Sequence, residues 1–588
     1  MGEPVDPTDG PPVDFSPSDL DSDFFQIPYG LLSLAAQAWR AGHAVKVFNL
    51  SAHRWSSVEA TVERLGADVV GMSCWTANRR GVHLLAELIK SRQPSTHITV
   101  GGPHITPLGR QYLEHYPAVD SAIVGEGELT FLELLDRLER NLTLDGLAGA
   151  LIRANGGISQ LAPRANITNL DELESPHSHF PTHIVMTSRG CPWACTFCGA
   201  ESSWGRGFRP FSVPRVLDDL EAALERTRVR MLLIKDDTFT TNRDRVFQLC
   251  QGIRDRDLRF LWSCDTRVDV LRDDLLREMR LAGCERLSLG VESGSPTILK
   301  AINKKITVKQ ILESTAMARR YGIRARFFMM LGNRGETQQT FEESLRFIKA
   351  AQPHQYIFSC LSIYPGTKDF ADAVAAGWLD AERYFTGSFQ ELKAPFDATD
   401  EDARVMNHWF NQHRGIRDEY VPSVGDLRGV VQALGNAHAP SLLDLAEALV
   451  EQGEHREAAE LLDRAEHLRH PLPGLIHNAR ACLAAARGDY ARVKDELVWA
   501  ARVDPQHYLL LRNANTAKSW FDRGGPQSTE SLRLEARHDF QLFERTEQPA
   551  LPGPLPEGWA SWEQPSAVLV SPRHHRGSAA SHAIFPQI

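Results

Sequence analysis

Long apolar runs are missing from this sequence: none approaches the roughly 18 to 20 residues that a membrane-spanning helix requires. Basic charge is not in surplus either, since 65 Lys and Arg stand against 75 Asp and Glu, for a net charge of -10. A chain with that balance is poorly suited to neutralising a phosphate backbone, which excludes nucleic-acid binding as its main task. Cysteine is scarce, with nine in 588 residues. That number is odd and too small for a disulfide framework, so a reducing, cytoplasmic compartment is expected. Glycine and proline, at 42 and 33 residues, are too few for a collagen-like chain. The first residues (MGEPVDPTDGPPVDFSPSDLDSD) carry acid and proline where a secretory signal carries base and an apolar stretch.

What is present divides the chain into six parts. Residues 1–24 lack apolar periodicity and read as a disordered leader. Residues 25–145 alternate short strands (44–50, 67–73, 97–100, 121–124) with helices (31–40, 58–65, 80–91). That pattern predicts a parallel, doubly wound, Rossmann-like sheet. In such sheets ligands sit beyond the carboxyl ends of the strands, where Trp75, Gly101–Gly102 and Gly125–Glu126–Gly127 fall. Residues 146–180 read as a linker with a small hairpin at 150–159. Residues 181–400 hold six more strand–helix units, with strands at 183–187, 231–235, 260–264, 286–289, 324–330 and 356–363. They predict a partial (β/α)6 barrel of TIM type. Residues 401–525 become helical and alanine-rich; Gly453 repeats at Gly488 and Pro471 at Pro505, a spacing similar to tetratricopeptide helix pairs. Residues 526–588 end the chain as a mixed, flexible tail.

Three of the nine cysteines lie within eight residues, in Cys191-Pro192-Trp193-Ala194-Cys195-Thr196-Phe197-Cys198. Three thiolates on one short loop hold three corners of a cubane iron–sulfur cluster. A closed zinc site needs a fourth ligand nearby, and no Cys or His follows closely. The fourth iron is then open for chemistry. The alternative is three core cysteines without a function.

Placed after the first strand of a six-unit series, this C-x3-C-x2-C loop resembles that of the radical S-adenosylmethionine superfamily. WGRGFRPFS at 204–212, KDDTFTTN at 235–242, LGVESGS at 289–295 and YPGT at 364–367 follow in the family's order. The resemblance covers about residues 25–400. It implies that Cys191, Cys195 and Cys198 bind a [4Fe–4S] cluster whose open iron chelates S-adenosylmethionine. Reduction by an external donor of flavodoxin or ferredoxin type then yields a 5′-deoxyadenosyl radical. Glu292 and Ser293 match the motif near the S-adenosylmethionine ribose, since a carboxylate accepts two hydroxyl hydrogen bonds. A helix-capping role is the alternative for Glu292. Arg326 would pair with the methionyl carboxylate, or simply be an inward polar residue of the barrel. Asp236 and Asp237 read as a metal pair, as strand-end groups near the substrate, or as turn and cap residues. Gly332-Asn333-Arg334-Gly335-Glu336-Thr337 departs from the family's habit of a proline before GET.

Residues 25–145 resemble the cobalamin-binding domain that precedes many such barrels. The landmarks are Pro28–Tyr29–Gly30, Ala41–Gly42–His43, Val100–Gly101–Gly102–Pro103–His104 and Gly125–Glu126–Gly127–Glu128. The resemblance implies cobalamin contacts from Trp75, Gly101, Gly102, His104, Gly125, Glu126 and Gly127. The D-x-H-x-x-G motif that supplies a cobalt-ligating His is absent, and NLSAH at 49–53 does not fit its spacing. Trp75 is placed to face the lower side of the corrin; the alternative is packing beneath the sheet edge.

Together these features imply a cobalamin-dependent radical S-adenosylmethionine methyltransferase acting on a carbon centre. One S-adenosylmethionine would give its methyl group through methylcobalamin and a second would supply the radical. The substrate is expected to be a small-molecule or carrier-protein-bound intermediate of a secondary-metabolite (antibiotic) pathway. A radical cyclase or ring-rearranging enzyme, and a non-enzymatic cobalamin or redox sensor, are the alternatives. Radical methylthiotransferases bring three further cluster cysteines, whereas only Cys74 precedes Cys191 here. The C-terminal helices would close the barrel mouth, dock a carrier protein or bind a peptide. No membrane and no nucleic-acid partner is expected.

Overall fold

The computed structural model describes residues 28–50, 55–154, 156–159, 161–227, 229–386, 420–505, 507–527, 531–540 and 561–563. The leader, His53 and most of the tail lie outside them.

The N-terminal layer runs α1 (Tyr29–Arg40), β1 (Lys46–Phe48), α2 (Trp55–Glu63), β2 (Val69–Ser73), α3 (Arg79–Arg92), β3 (His97–Gly101), α4 (Ile105–His115), β4 (Ser121–Ile123) and α5 (Glu128–Glu139). Strands β2, β3 and β4 lie parallel, with Met72 opposite Val100 and Val100 opposite Ala122. Ile98, Thr99 and Val100 are all buried because helices cover both faces of the sheet. The hairpin β5 (Ala150–Ala154) and β6 (Gly157–Ile158) continues this sheet antiparallel beyond β4, although its sequence reads as part of a linker. Strand β1 stays out of the sheet and pairs parallel with Ser561–Glu563 instead.

The second layer has strands β7 (Ile184–Val185), β10 (Met231–Ile234), β11 (Leu261–Thr266), β12 (Cys284–Glu292), β13 (Arg324–Leu331) and β14 (Gln355–Cys360) in simple chain order, all parallel. A short antiparallel pair, β8 (Ser188–Arg189) with β9 (Arg209–Pro210), stands at its mouth. The alternation of side chains divides each strand. Trp262, Cys264, Leu287, Leu289, Val291, Ala325, Phe327 and Met329 share one apolar core with residues of the covering helices, such as Leu249, Leu275 and Ile311. Trp262 is fully buried and its Nε1 donates to the Ala282 carbonyl at 2.8 Å. The opposite phase carries Asp265, Ser288 and Arg326 side by side across the sheet. Lys235 Nζ reaches Asp265 at 3.5 Å and Arg326 donates to Ser288 Oγ at 2.9 Å, so this layer forms a polar floor inside the barrel.

Helices Ala439–Gln452, His455–His467, Pro473–Ala486, Tyr490–Val503 and Tyr508–Asp522 follow as stacked pairs. Their leucines, among them Leu442, Leu445 and Leu475, pack against Ile184, Met231, Leu233 and Leu261 and so plug the base of the barrel. Residues 531–540 fall in the expected flexible tail, yet here they lie extended along these helices. Asn478 and Asn513 both donate to the Glu535 carbonyl, at 3.0 and 2.7 Å, and Glu535 N–H donates back to Asn513 at 3.1 Å. His538 donates its backbone N–H to Glu447 at 3.1 Å. Beneath this strap Arg280 and Arg324 bridge Glu285 and Asp444 in a buried ionic hub. No helix among the described residues is long and apolar enough to cross a membrane.

Candidate active site at the barrel mouth

The three-cysteine loop leaves β8 and crosses the mouth. Cys191 and Cys195 are half-buried and Cys198 is exposed, and the thiols are near enough to act on one another electrostatically. The loop is tied down at several points. Thr196 N–H donates to the Ile302 carbonyl at 3.1 Å, and Asn303 donates to the Ala194 carbonyl at 2.6 Å. Thr238 Oγ1 lies 3.6 Å from Cys191 Sγ. Arg267 donates to Cys195 Sγ at 3.7 Å while Asp269 and the Lys304 carbonyl fix its guanidinium, and it covers the Trp193 ring at 4.6 Å. Burial pushes the Cys195 thiol up, and Lys304 and Arg267 pull it back. A cation against a sulfur suits a thiolate ligand. Of the remaining cysteines, Cys250, Cys264 and Cys284 lie together in the barrel core, where Cys264 hydrogen-bonds Cys284; Cys74 and Cys482 are buried elsewhere and Cys360 is half-buried. Three thiols on one loop, with no fourth Cys or His beside them among the described residues, fit a cluster with one open corner.

Asp236 and Asp237 anchor the root of this loop. Asp236 accepts from Thr187 N–H at 2.6 Å, Ser188 N–H at 3.1 Å and both hydroxyls, and Asp237 accepts from Gly190 N–H at 3.0 Å. Their oxygens serve the chain itself, which favours the turn role over a metal pair. Glu292 ends β12 at φ +66, a conformation costly for a residue with a Cβ, and its Oε1 meets Lys304 Nζ at 2.9 Å. Ser293 turns away into a buried pair with Ser344 at 3.0 Å and a bond to Ser295 N–H. Its hydroxyl holds the turn rather than facing a ribose. Arg326 sits on the floor beside Ser288, four residues below Glu292, or about 13 Å along a strand.

At the N-terminal sheet, Trp75 stands at the carboxyl end of β2 with 54% of its surface exposed, while neighbouring Cys74 is buried. Asn78 accepts the Trp75 N–H at 2.7 Å and so sets the turn that presents the indole. Gly101 ends β3 and Gly102 follows it. A Cβ on Gly102, at φ +106, would stand 2.9 Å from the Cys74 carbonyl, so this glycine serves the close approach of two strand ends. Gly125, at φ +83, has no atom within 4 Å of such a Cβ and leaves open backbone beyond β4. An exposed indole beyond β2 and bare backbone beyond β4, with β3 between them, fit a broad planar ring.

His104 and Glu126 do not join them, although the sequence suggests both. His104 is fully buried against Tyr112, Tyr384 and Phe385, with Nδ1 3.2 Å from Thr76 Oγ1. Burial, with Arg79 nearby, pushes its pKa down to about 3. Glu126 turns toward the barrel because two guanidiniums wait there: Arg189 at 2.7 Å and Arg209 at 2.8 Å. Glu128 meets Arg189 at 2.5 Å, and Arg189 holds its carboxyl below the usual range despite burial. Gly127 starts α5 behind them, against Leu34. Arg189 and Arg267 carry only a faint signal in the sequence, the first an arginine within a two-residue strand and the second an arginine just beyond β11.

Residues 185–348 match the radical SAM superfamily, and residues 21–135 match the B12 binding domain. An uncharacterized methyltransferase of Pyrococcus horikoshii is 30% identical over 361 residues, 59% of this chain and 78% of that protein. The anaerobic magnesium-protoporphyrin IX monomethyl ester cyclase of Rubrivivax gelatinosus is 26% identical, over 52% of this chain and 59% of the cyclase. In fold, the chain is similar to the radical S-adenosylmethionine methyltransferase TsrM from Kitasatospora setae, solved with cobalamin and a [4Fe–4S] cluster. The TM-score is 0.51 at 15% identity, covering 59% of this chain and 72% of TsrM. With both domain models in tandem and a methyltransferase relative matched over most of its length, the chain belongs to the cobalamin-dependent radical S-adenosylmethionine methyltransferase family.

Proposed function

We propose that this enzyme methylates a carbon centre of a small-molecule or carrier-bound intermediate of secondary metabolism. The observation that carries this reading is the bond by which Arg189, two residues ahead of the three-thiol loop, holds Glu126, the neighbour of open Gly125 at the end of β4. When bound, cobalamin supplies a methyl carrier, and the cluster supplies the electron that cleaves S-adenosylmethionine. Cys191, Cys195 and Cys198 would hold the cluster, with Arg267 placed against Cys195. Trp75, whose only polar atom is a donor, would cover the lower face of the corrin and exclude water without ligating the metal. The Glu292–Lys304 pair would offer the ribose an acceptor and the amino acid head a donor. Exposed Cys198 gives an edge at which an external one-electron donor of flavodoxin or ferredoxin type would dock. Free thiols and a cluster of this kind suit the cytoplasm.

The likeness to the Rubrivivax cyclase keeps ring closure as the second reading. One experiment separates the two. Reconstituted enzyme given S-adenosylmethionine and dithionite should form about one equivalent of S-adenosylhomocysteine per cobalamin, together with 5′-deoxyadenosine. A cyclase would give 5′-deoxyadenosine with no S-adenosylhomocysteine.

A further inference from the structure

Arg189 and the carboxylates of Glu126 and Glu128 lie between the two halves of the site and belong to neither ligand surface. Arg189 is two residues ahead of Cys191, on the strand from which the cluster loop departs. Glu126 stands on the turn after β4, one residue beyond the open backbone of Gly125, and Glu128 begins α5 on the other side of Gly127. All three side chains are at most 7% exposed. Each terminal nitrogen of Arg189 takes a different glutamate, and its guanidinium also covers the Trp204 ring at 5.1 Å. Glu126 is held further by Arg209 at 2.8 Å and Ile167 N–H at 2.7 Å, and Glu128 by Ser33 Oγ at 2.9 Å. Two carboxylates and two guanidiniums thus close a neutral buried network joining α1, the β4 turn, residue 167 and the barrel.

We infer that this network is a spacer: it fixes the separation between the cobalamin face and the cluster loop, with Arg189, Glu126 and Glu128 as positioning residues. The inference rests on the reading that both cofactors act on one substrate. The turn is two-sided, offering bare glycine backbone toward the ligand and acidic side chains toward the barrel. Apolar packing would join two domains equally well but tolerates sliding, whereas a forked guanidinium bonded to two separate carboxylates specifies one register. That register matters because a methyl group and a radical have to meet the same carbon, and a misplacement of about 1 Å can cost about a hundredfold in rate.

The test uses the full chain with cluster and cobalamin loaded, comparing Arg189→Lys, which keeps the charge and removes the fork, with Glu128→Gln. Pulsed electron paramagnetic resonance reads the separation of cob(II)alamin from the reduced cluster. The expected result is a shifted or broadened distance distribution in both variants. Iron and cobalamin contents should stay at wild-type level. S-adenosylhomocysteine formation from S-adenosylmethionine should slow about tenfold or more, while 5′-deoxyadenosine release is little changed. A purely structural role would lower the melting temperature and leave the distance and the product ratio alone; that outcome overturns the inference. Loss of either cofactor from Glu128→Gln overturns it too, since a spacer leaves each half-site intact. Wild-type enzyme that forms no S-adenosylhomocysteine would overturn the methyltransferase reading alone, and the measured separation would still decide the spacer.

Discussion

Trp75 keeps a large indole in the open just beyond the end of β2, a position that costs hydration unless something covers it. Cobalamin is that cover in the reading developed above. Replacing Trp75 by Ala or His should admit a lower ligand, water or imidazole, and change the visible spectrum of bound cob(II)alamin. Methyl transfer should slow while 5′-deoxyadenosine formation continues. If Trp75→Ala alters neither the spectrum nor the methyl-transfer rate, the residue is packing. Arg267 acts on the other half of the site. Its guanidinium against Cys195 favours the more negative, reduced state of a cluster, so Arg267→Met should move the cluster potential downward and Arg267→Lys by less. An unchanged potential in Arg267→Met would separate the residue from the cluster. The three cysteines were plain in the sequence because cysteine is rare here and three sit together. Arg267 was not, because its sulfur partner lies 72 residues away and no local pattern announces the pair.

Strands and helices explain what else was visible. Strands β10 to β13 are apolar on the face that meets the helices, and β10, β11 and β13 lie close to their expected limits, whereas β12 runs nine residues against the expected 286–289. The strap at 531–540 was hidden, since RLEARHDF has no period of its own and its bonds go to Asn478, Asn513 and Glu447 on distant helices. Glu126 was misplaced for a related reason. Glycine spacing announces a ligand turn, but only the fold tells which face the intervening carboxylates take. The strap has a measurable weight. His538 bonds buried Glu447 at 2.8 Å, and its removal leaves that carboxyl only the backbone N–H of the strap. His538→Ala should therefore cost about 1 to 3 kcal/mol of stability, read as a lower melting temperature. His470 and His507 lie in the same hub, among Asp444, His538, Arg280 and Arg324. Burial is the main reason that both are pushed down to about 3. Folded, they stay neutral to that pH; unfolded, they take a proton below about 6.5. The unfolded chain then binds more protons, so stability should fall as pH drops from about 6.5 and level off near 3. Each histidine contributes at most about 1.4 kcal/mol per pH unit. Denaturant titrations at pH 7.5 and 5.5 should differ accordingly, and a His507→Leu variant should flatten the slope; equal midpoints would contradict it.

At the scale of the whole molecule, the helical module closes the barrel from below. Leucines of its first helices fill the base around Leu233 and Leu261, and the hub of Arg280, Arg324, Glu285 and Asp444 seals what they leave. The barrel is therefore a cup and not a tube. Its one rim is overhung by the N-terminal sheet, and among the described residues it carries one three-cysteine loop. Traffic follows from that shape. On the function proposed above, the two molecules of S-adenosylmethionine would share a single berth, and the fragments of the first would have to clear the rim before the second could settle. The two half-reactions thus queue at one gate. An inert analogue of S-adenosylmethionine should block the formation of S-adenosylhomocysteine and of 5′-deoxyadenosine with the same inhibition constant, as a lock with one keyhole is jammed by one key.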